Sequence, residues 1–135
     1  GSKTHIGIPD IILSSDKKEI ISGFIRGIVD TDFTLIVTTK YGKKYPYLKG
    51  QFASKQLVLD LKELFDKLGI ESNVQLDVKS YHKKARKTYI TNIIILNGFS
   101  RVGKWLNTIG YNNKEKFEKK IMGLGGLSNP KTYSR

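Results

Sequence analysis

The chain has 135 residues, 39% of them hydrophobic, which is the length and apolar content of one domain around one core. It has no cysteine, and its two histidines, His5 and His82, are far apart in sequence; disulfides, thiolate zinc sites and cysteine nucleophiles are excluded, and any metal falls to carboxylates, donors that suit a hard ion such as magnesium. Twenty-four lysines and arginines against twelve aspartates and glutamates give a formal charge of +12 and a pI near 9.8, a field that favours nucleic acid over an anionic membrane because no basic amphipathic helix stands out.

Gly1-Ser2 reads as the scar of a removed tag. Neither a signal peptide nor a bilayer-spanning apolar run is read, so the expected setting is soluble and intracellular, cytoplasmic or organellar. Residues 1–14 are an N-terminal extension containing Pro9, irregular in its first part. Ser14 or Ser15 is the candidate cap of a first helix that runs to about Asp32, with Asp16 and Glu19 near its positive end. Thr34–Lys40, rich in β-branched residues, predicts a strand; Tyr41-Gly-Lys-Lys44 a hairpin turn; and Tyr45–Phe52 the return strand, with Pro46 marking imperfect pairing or a nearby edge. Ser54 is expected to cap a second helix, Lys55–Leu68, whose Leu57, Leu61, Leu64 and Leu68 share a face and which Gly69 ends. Asn73–Lys79 alternates as a half-buried strand, and a basic loop, Tyr81–Lys87, leads to a fourth strand, Thr88–Leu96. Helices follow near 99–109 and 113–122, and 123–135 is a glycine-rich tail expected to be flexible. The domain proper is then 15–122, an α+β fold in the order αββαββα: a four-stranded, mainly antiparallel sheet with helices on one face.

Period two on the strands predicts an open face. Thr34, Ile36, Thr38 and Lys40 point outward from the first strand, opposite Leu35 and Val37; Tyr45, Tyr47, Lys49 and Gln51 point outward from the second, opposite Leu48 and Phe52. The third exposes Gln75, Asp77, Lys79 and Tyr81 and buries Val74, Leu76 and Val78. The fourth carries isoleucine on both faces, so its outward set stays open, with Tyr89 and Thr91 preferred to Ile90 and Asn92. Two strands fit a DNA major groove, and tyrosines, glutamines and lysines suit base edges and phosphates; the plainer reading is the wetted side of any antiparallel sheet. Lys43, Lys44, Lys83, Lys84, Arg86 and Lys87 cluster in the turns, either gripping a nucleic-acid backbone or simply solvated.

The first helix ends in Asp30 and Asp32, at the negative end of its dipole, where each carboxylate costs about 0.3–1 kcal/mol. A divalent cation would relieve that; so would capping or a lysine partner. Gly23 and Gly27 sit one turn apart, a spacing that lets another backbone approach closely, while Ile21, Phe24, Ile25, Ile28 and Val29 make the helix apolar on more than one side. Close packing within the domain is one explanation; a two-fold helix pair between protomers, bringing two Asp32 residues together, is the other.

Ile25-Arg-Gly-Ile-Val-Asp-Thr-Asp-Phe33 resembles the signature helix of the LAGLIDADG homing endonucleases. The element order across 15–122 agrees, as do Ala53-Ser-Lys-Gln-Leu57 ahead of a helix ending Leu68-Gly-Ile70, and Val102–Tyr111. The resemblance implies the homing-endonuclease fold, a dimer or pseudo-dimer interface through the helix at Ile20, Gly23 and Gly27, and catalytic metal on the Asp32 carboxylate with the Thr31 backbone carbonyl. Asp30 falls at a position usually structural. A basic residue beside the pocket would be Lys114, or else Lys116, against the reading of a plain surface lysine. The implied ion is Mg2+, with Mn2+ or Ca2+ able to take the same sites. The implied activity is site-specific cleavage of double-stranded DNA by phosphodiester hydrolysis, tied to intron or intein mobility. With one signature helix, a homodimer on a long near-palindromic site is expected, or else half of a longer pseudo-symmetric enzyme. The rivals are a non-catalytic nucleic-acid binder such as an intron RNA maturase, and a generic basic interaction domain. Phe33 stands where the family has a closing glycine; if that position needs positive φ, the substitution costs about 1–2 kcal/mol.

Overall fold

The computed structural model describes residues 7–125. The tag remnant, His5 and positions 126–135 of the expected tail lie outside the described residues. The chain runs α1 (Asp10–Leu13), α2 (Lys18–Asp32), β1 (Phe33–Lys40), β2 (Lys43–Phe52), α3 (Lys55–Lys67), β3 (Asn73–His82), β4 (Lys87–Asn97), α4 (Gly98–Thr108) and α5 (Lys114–Leu124). The sheet order is β1-β2-β4-β3 and every neighbouring pair is antiparallel. α3 rests on β3 and β4, α4 on β2 and β4, and α5 on β1 and β2. The helices thus cover one face and leave the other open, as the sequence predicts. Among the described residues no helix is long and apolar enough to cross a membrane.

α1 lies where the sequence suggests irregular chain. The Pro9 carbonyl accepts from the Ile12 and Leu13 amides, and the Ser14 amide and hydroxyl both close on the Asp10 carbonyl. Ser14 and Ser15 therefore do not cap α2; its N-cap is Lys17, without a side-chain bond, and Ser15 Oγ accepts instead from the Lys17 amide. Ile8 is buried in the core, its amide held by the buried Asp60 carboxylate at 2.9 Å. Ser54 caps α3 as expected, accepting from the Leu57 amide at 3.0 Å. Gly69, at φ +74, closes that helix while the Ile70 amide reaches back to the Phe65 carbonyl.

The β1–β2 turn is tighter than expected. Tyr41 and Gly42 have φ of +53 and +76, the two left-handed positions of a hairpin turn matched to strand twist, so Lys43 already pairs with Lys40. Pro46 pairs with Val37 of β1, and β4 joins β2 only from Tyr47 onward, so the missing proline N–H falls where β2 has a single neighbour.

Phe33 is fully buried and has φ −96 and ψ 153, ordinary extended backbone, so the strain considered for that position does not arise. α2 passes into β1 without a loop. The Phe33 ring lies 5.8 Å from Phe52 and 6.3 Å from Phe65, centroid to centroid. Opposite it in the sheet is Gly50, where a Cβ would come within 2.7 Å of both the Phe33 and Phe52 rings. Gly50 therefore makes the space that Phe33 fills. Gly50→Ala is expected to lower stability by about 1–3 kcal/mol in urea unfolding, the cost of overpacking a core; undiminished stability would show that the rings yield.

β3 breaks its predicted alternation. Gln75 pairs with Ile93 but Val78 pairs with Thr91, so Leu76 and Asp77 together face Asn92, a β-bulge. Asp77 takes φ +56. Directly opposed residues of an antiparallel pair share a face, so the extra residue inverts everything downstream. Val78, Ser80 and His82 join Gln75 on the open face, across from Thr91, Tyr89 and Lys87. Lys79 and Tyr81, expected outward with Gln75, turn to the opposite side with Ile90 and Thr88. Asp77 also leaves the expected set: its carboxylate pairs with Lys55 at the start of α3, 2.7 Å away. Leu76, expected inside, is exposed. On β4 the register places Tyr89, Thr91, Ile93 and Ile95 on the open face, and Gln51 donates to the Thr91 hydroxyl at 3.0 Å.

Candidate nucleic-acid interface and carboxylate site

The two aspartates that end α2 have different surroundings. The Asp30 carboxylate accepts the backbone N–H groups of Asn112 and Asn113, both at 2.9 Å, just ahead of α5. Its carbonyl receives Asn113 Nδ2 at 3.2 Å and Lys116 Nζ at 3.4 Å. The charge disfavoured at the end of one helix is thus placed at the favourable N-terminal end of another, and Asp30 fastens α2 to α5. Asp32 is exposed, and among the described residues its carboxylate has one hydrogen-bond partner, the adjacent Thr31 hydroxyl at 3.0 Å. That hydroxyl also lies 3.2 Å from the Gly27 and Ile28 carbonyls.

Asp32 lines a hollow of about 250 Å³ with Thr34, Ile36, Lys49 and Gln51. The hollow lies on the open face, because Thr34 opposes Lys49 and Ile36 opposes Tyr47 across β1 and β2. A larger hollow, about 610 Å³, continues along the same strands between Thr38, Lys40, Tyr45, Pro46, Tyr47, Asn97 and Gly98. All the outward side chains predicted on β1 and β2 therefore line one of two neighbouring depressions. Gln75 is exposed across β4 from them.

The basic side chains divide. Lys43, Lys83, Lys84 and Arg86 are exposed at the two hairpin ends. Lys87 is exposed too, with its ammonium 5.5 Å from the Tyr89 ring centre. Lys44, opposite Thr39, turns toward the helices and donates to the Gly123 carbonyl at 3.3 Å. Lys114 lines a separate hollow of about 490 Å³ on α5, with Glu115, Glu118, Lys119 and Met122. Of the two lysines considered beside the carboxylate, Lys116 is the one that reaches the end of α2.

α2 buries Ile21, Ile25 and Val29 and leaves its other side bare. Gly23 and Gly27 are exposed, with nothing among the described residues outside their own stretch of helix within 4 Å of where a Cβ would stand, and Ile20 is 44% exposed. Close packing among the described residues therefore does not account for these glycines.

Among the described residues no group of three or more histidine, cysteine, aspartate or glutamate side chains could hold a metal. The donor set fits a hard ion of the magnesium kind nonetheless: such an ion takes one or two carboxylates and completes its sphere with water and phosphate oxygens, and Asp32 presents one exposed carboxylate to an open, basic face.

Sequence reasoning missed Asn97, Ser80 and His82 on the open face. Asn97 lies one residue beyond the predicted end of the fourth strand. The other two follow from the bulge, whose only trace in the sequence is Asp77, a residue type depleted within strands and tolerant of positive φ.

The family model of a LAGLIDADG-like domain matches residues 19–122. No curated protein matches the chain.

Proposed function

The chain belongs to the LAGLIDADG family, whose fold is endonuclease-like and nucleic-acid binding, and we propose that it is a homodimeric, metal-dependent endonuclease that cuts both strands of a long, near-palindromic DNA site. One observation carries this reading: the exposed Asp32 carboxylate shares a hollow with the outward side chains of the sheet, at the end of a helix whose outer stripe of Ile20, Gly23 and Gly27 is bare.

In this reading Asp32, with the Thr31 carbonyl, would hold Mg2+, or Mn2+ or Ca2+ in its place. Bound there, the ion would supply an activated water and charge stabilisation for the leaving oxygen. The side chains of the chain do the rest. The open face takes the major groove through Thr34, Ile36, Thr38, Tyr45, Tyr47, Lys49, Gln51 and Gln75. Lys40, Lys43, Lys83, Lys84, Arg86 and Lys87 take the backbone on either flank. Lys116, held against the Asp30 carbonyl two residues before Asp32, is preferred to Lys114 as the basic residue of the pocket. A second copy, packed stripe against stripe along α2, brings a second Asp32 to the opposite strand.

The test is cleavage, with magnesium, of duplexes that the protein itself recovers from a randomised pool. Binding without cleavage in any divalent ion would leave a non-catalytic nucleic-acid binder. Binding in calcium should also fall linearly on a log–log plot against salt. Six to ten phosphate contacts would lose about 10³–10⁵ in affinity between roughly 50 and 200 mM. Lys43→Ala or Lys84→Ala should each lower the slope by about one for every phosphate that the lysine neutralises. A flat response would show that the hairpin ends do not touch the backbone.

A further inference from the structure

The bulge in β3 is held from two sides. Asn92, 2% exposed, accepts the Asp77 amide on Oδ1 at 3.0 Å, and its Nδ2 lies 3.4 and 3.2 Å from the carbonyls of Phe52 and Ala53. Lys55, one residue into α3 from its Ser54 cap, holds the Asp77 carboxylate. An amide buried on the side of Ile94 and Leu96 is tolerated because its donor and acceptor are both used. Those bonds hold the extra residue in place and so fix which β3 side chains reach the open face. Downstream, His82 meets Tyr89 edge to face at 4.8 Å and Ser80 lies opposite Tyr89. An imidazole carries a donor and an acceptor on one rigid ring, and a hydroxyl can serve as either; both suit base edges.

We propose that the β3–β4 half of the open face reads DNA through Ser80, His82 and Tyr89, and that Asn92 is the positioning residue that turns them there. Lys79 and Tyr81, on the reverse of the ribbon, do not read sequence. This rests on the DNA-binding function proposed above.

The experiment compares the base preferences of the full chain and its variants on duplexes selected from a randomised pool in calcium. His82→Ala and Ser80→Ala should each relax discrimination by about tenfold at one or two positions toward one flank of each half-site, while Lys79→Ala and Tyr81→Ala leave the preference as it was. Asn92→Leu should alter the preference at those same positions and at no other. Asn92→Gln, which keeps both an acceptor for the Asp77 amide and a donor for the Phe52 and Ala53 carbonyls, should retain the preference, a rescue that general loosening of the fold would not give. Should Asn92→Leu fail to fold, Asn92→Thr takes its place. Loss of preference in Tyr81→Ala with none in His82→Ala overturns the reading set. An unchanged preference in Asn92→Leu, or in Asn92→Thr where it stands in, overturns the positioning role. A wild-type chain that selects no sequence overturns the DNA-recognition function, and this inference with it; selectivity indifferent to His82 and Ser80 overturns this inference alone.

Discussion

Asp32→Asn is expected to reduce cleavage by about 1000-fold or more, roughly 4 kcal/mol of transition-state stabilisation, while duplex binding in calcium changes little. The substitution keeps the shape of the side chain and an oxygen for the Thr31 hydroxyl, so the local hydrogen bond at 3.0 Å survives. What it removes is the negative charge, the property that a hard cation requires. Nothing in the fold depends on that charge: Asp32 is exposed and, among the described residues, makes no ion pair. Thermal stability should therefore stay level or rise slightly, because the change takes a carboxylate away from the negative end of α2. Asp30→Asn is the instructive control. The Asp30 carboxylate accepts two backbone amides ahead of α5, so its replacement should lower stability. Cleavage by Asp32→Asn at the wild-type rate would remove the metal assignment.

Gly27→Leu is expected to abolish dimerisation and double-strand cleavage together, while making the isolated domain no less stable. Among the described residues nothing beyond its own stretch of helix lies within 4 Å of the added Cβ, so they present no clash to resolve. Glycine within an exposed helix costs about 0.5–1 kcal/mol relative to a better helix former, so the intrinsic stability of α2 should increase. A helix pair that depends on close backbone approach cannot accept the larger side chain. Sedimentation should show a dimer for the wild type and a monomer for the variant, and cleavage should fall by about 100-fold or more if each strand needs its own Asp32. The opposite signs of the two effects separate an interface from a packing defect. A Gly27→Leu protein that is dimeric and active would place the protomer contact elsewhere.

Much of the fold, and the outward set on β1 and β2 beside the candidate site, is legible in the sequence because the signals are local and periodic. Ser54 and Gly69 mark the ends of α3 by chemistry that acts over four residues. β1 and β2 alternate without interruption, and each side chain predicted outward on them lines a hollow beside Asp32 or its neighbour. β3 failed for a non-local reason. Asn73–Lys79 alternates in sequence as well as any strand, but the bulge is imposed by a side chain on β4 and a lysine on α3. The choice between Lys114 and Lys116 was similar. Both are lysines near the start of one helix, and only packing against α2 shows which reaches the Asp30 carbonyl. Phe33 misled in the other direction. Set beside a family glycine it suggested strain, whereas the compensating residue, Gly50, lies seventeen positions away and becomes visible only when β1 is laid against β2.

The absence of a loop between Asp32 and Phe33 has a further consequence. In the proposed function the carboxylate and the first strand would move as one piece, so the phosphate attacked and the bases recognised would stand at a fixed offset. Such a molecule would work as a ruler. New targets would be reached by exchanging outward side chains on a fixed scale, and not by moving the point of cutting relative to the site. A single glycine inserted between Asp32 and Phe33 should move that point, or blur it, while leaving the selected sequence unchanged.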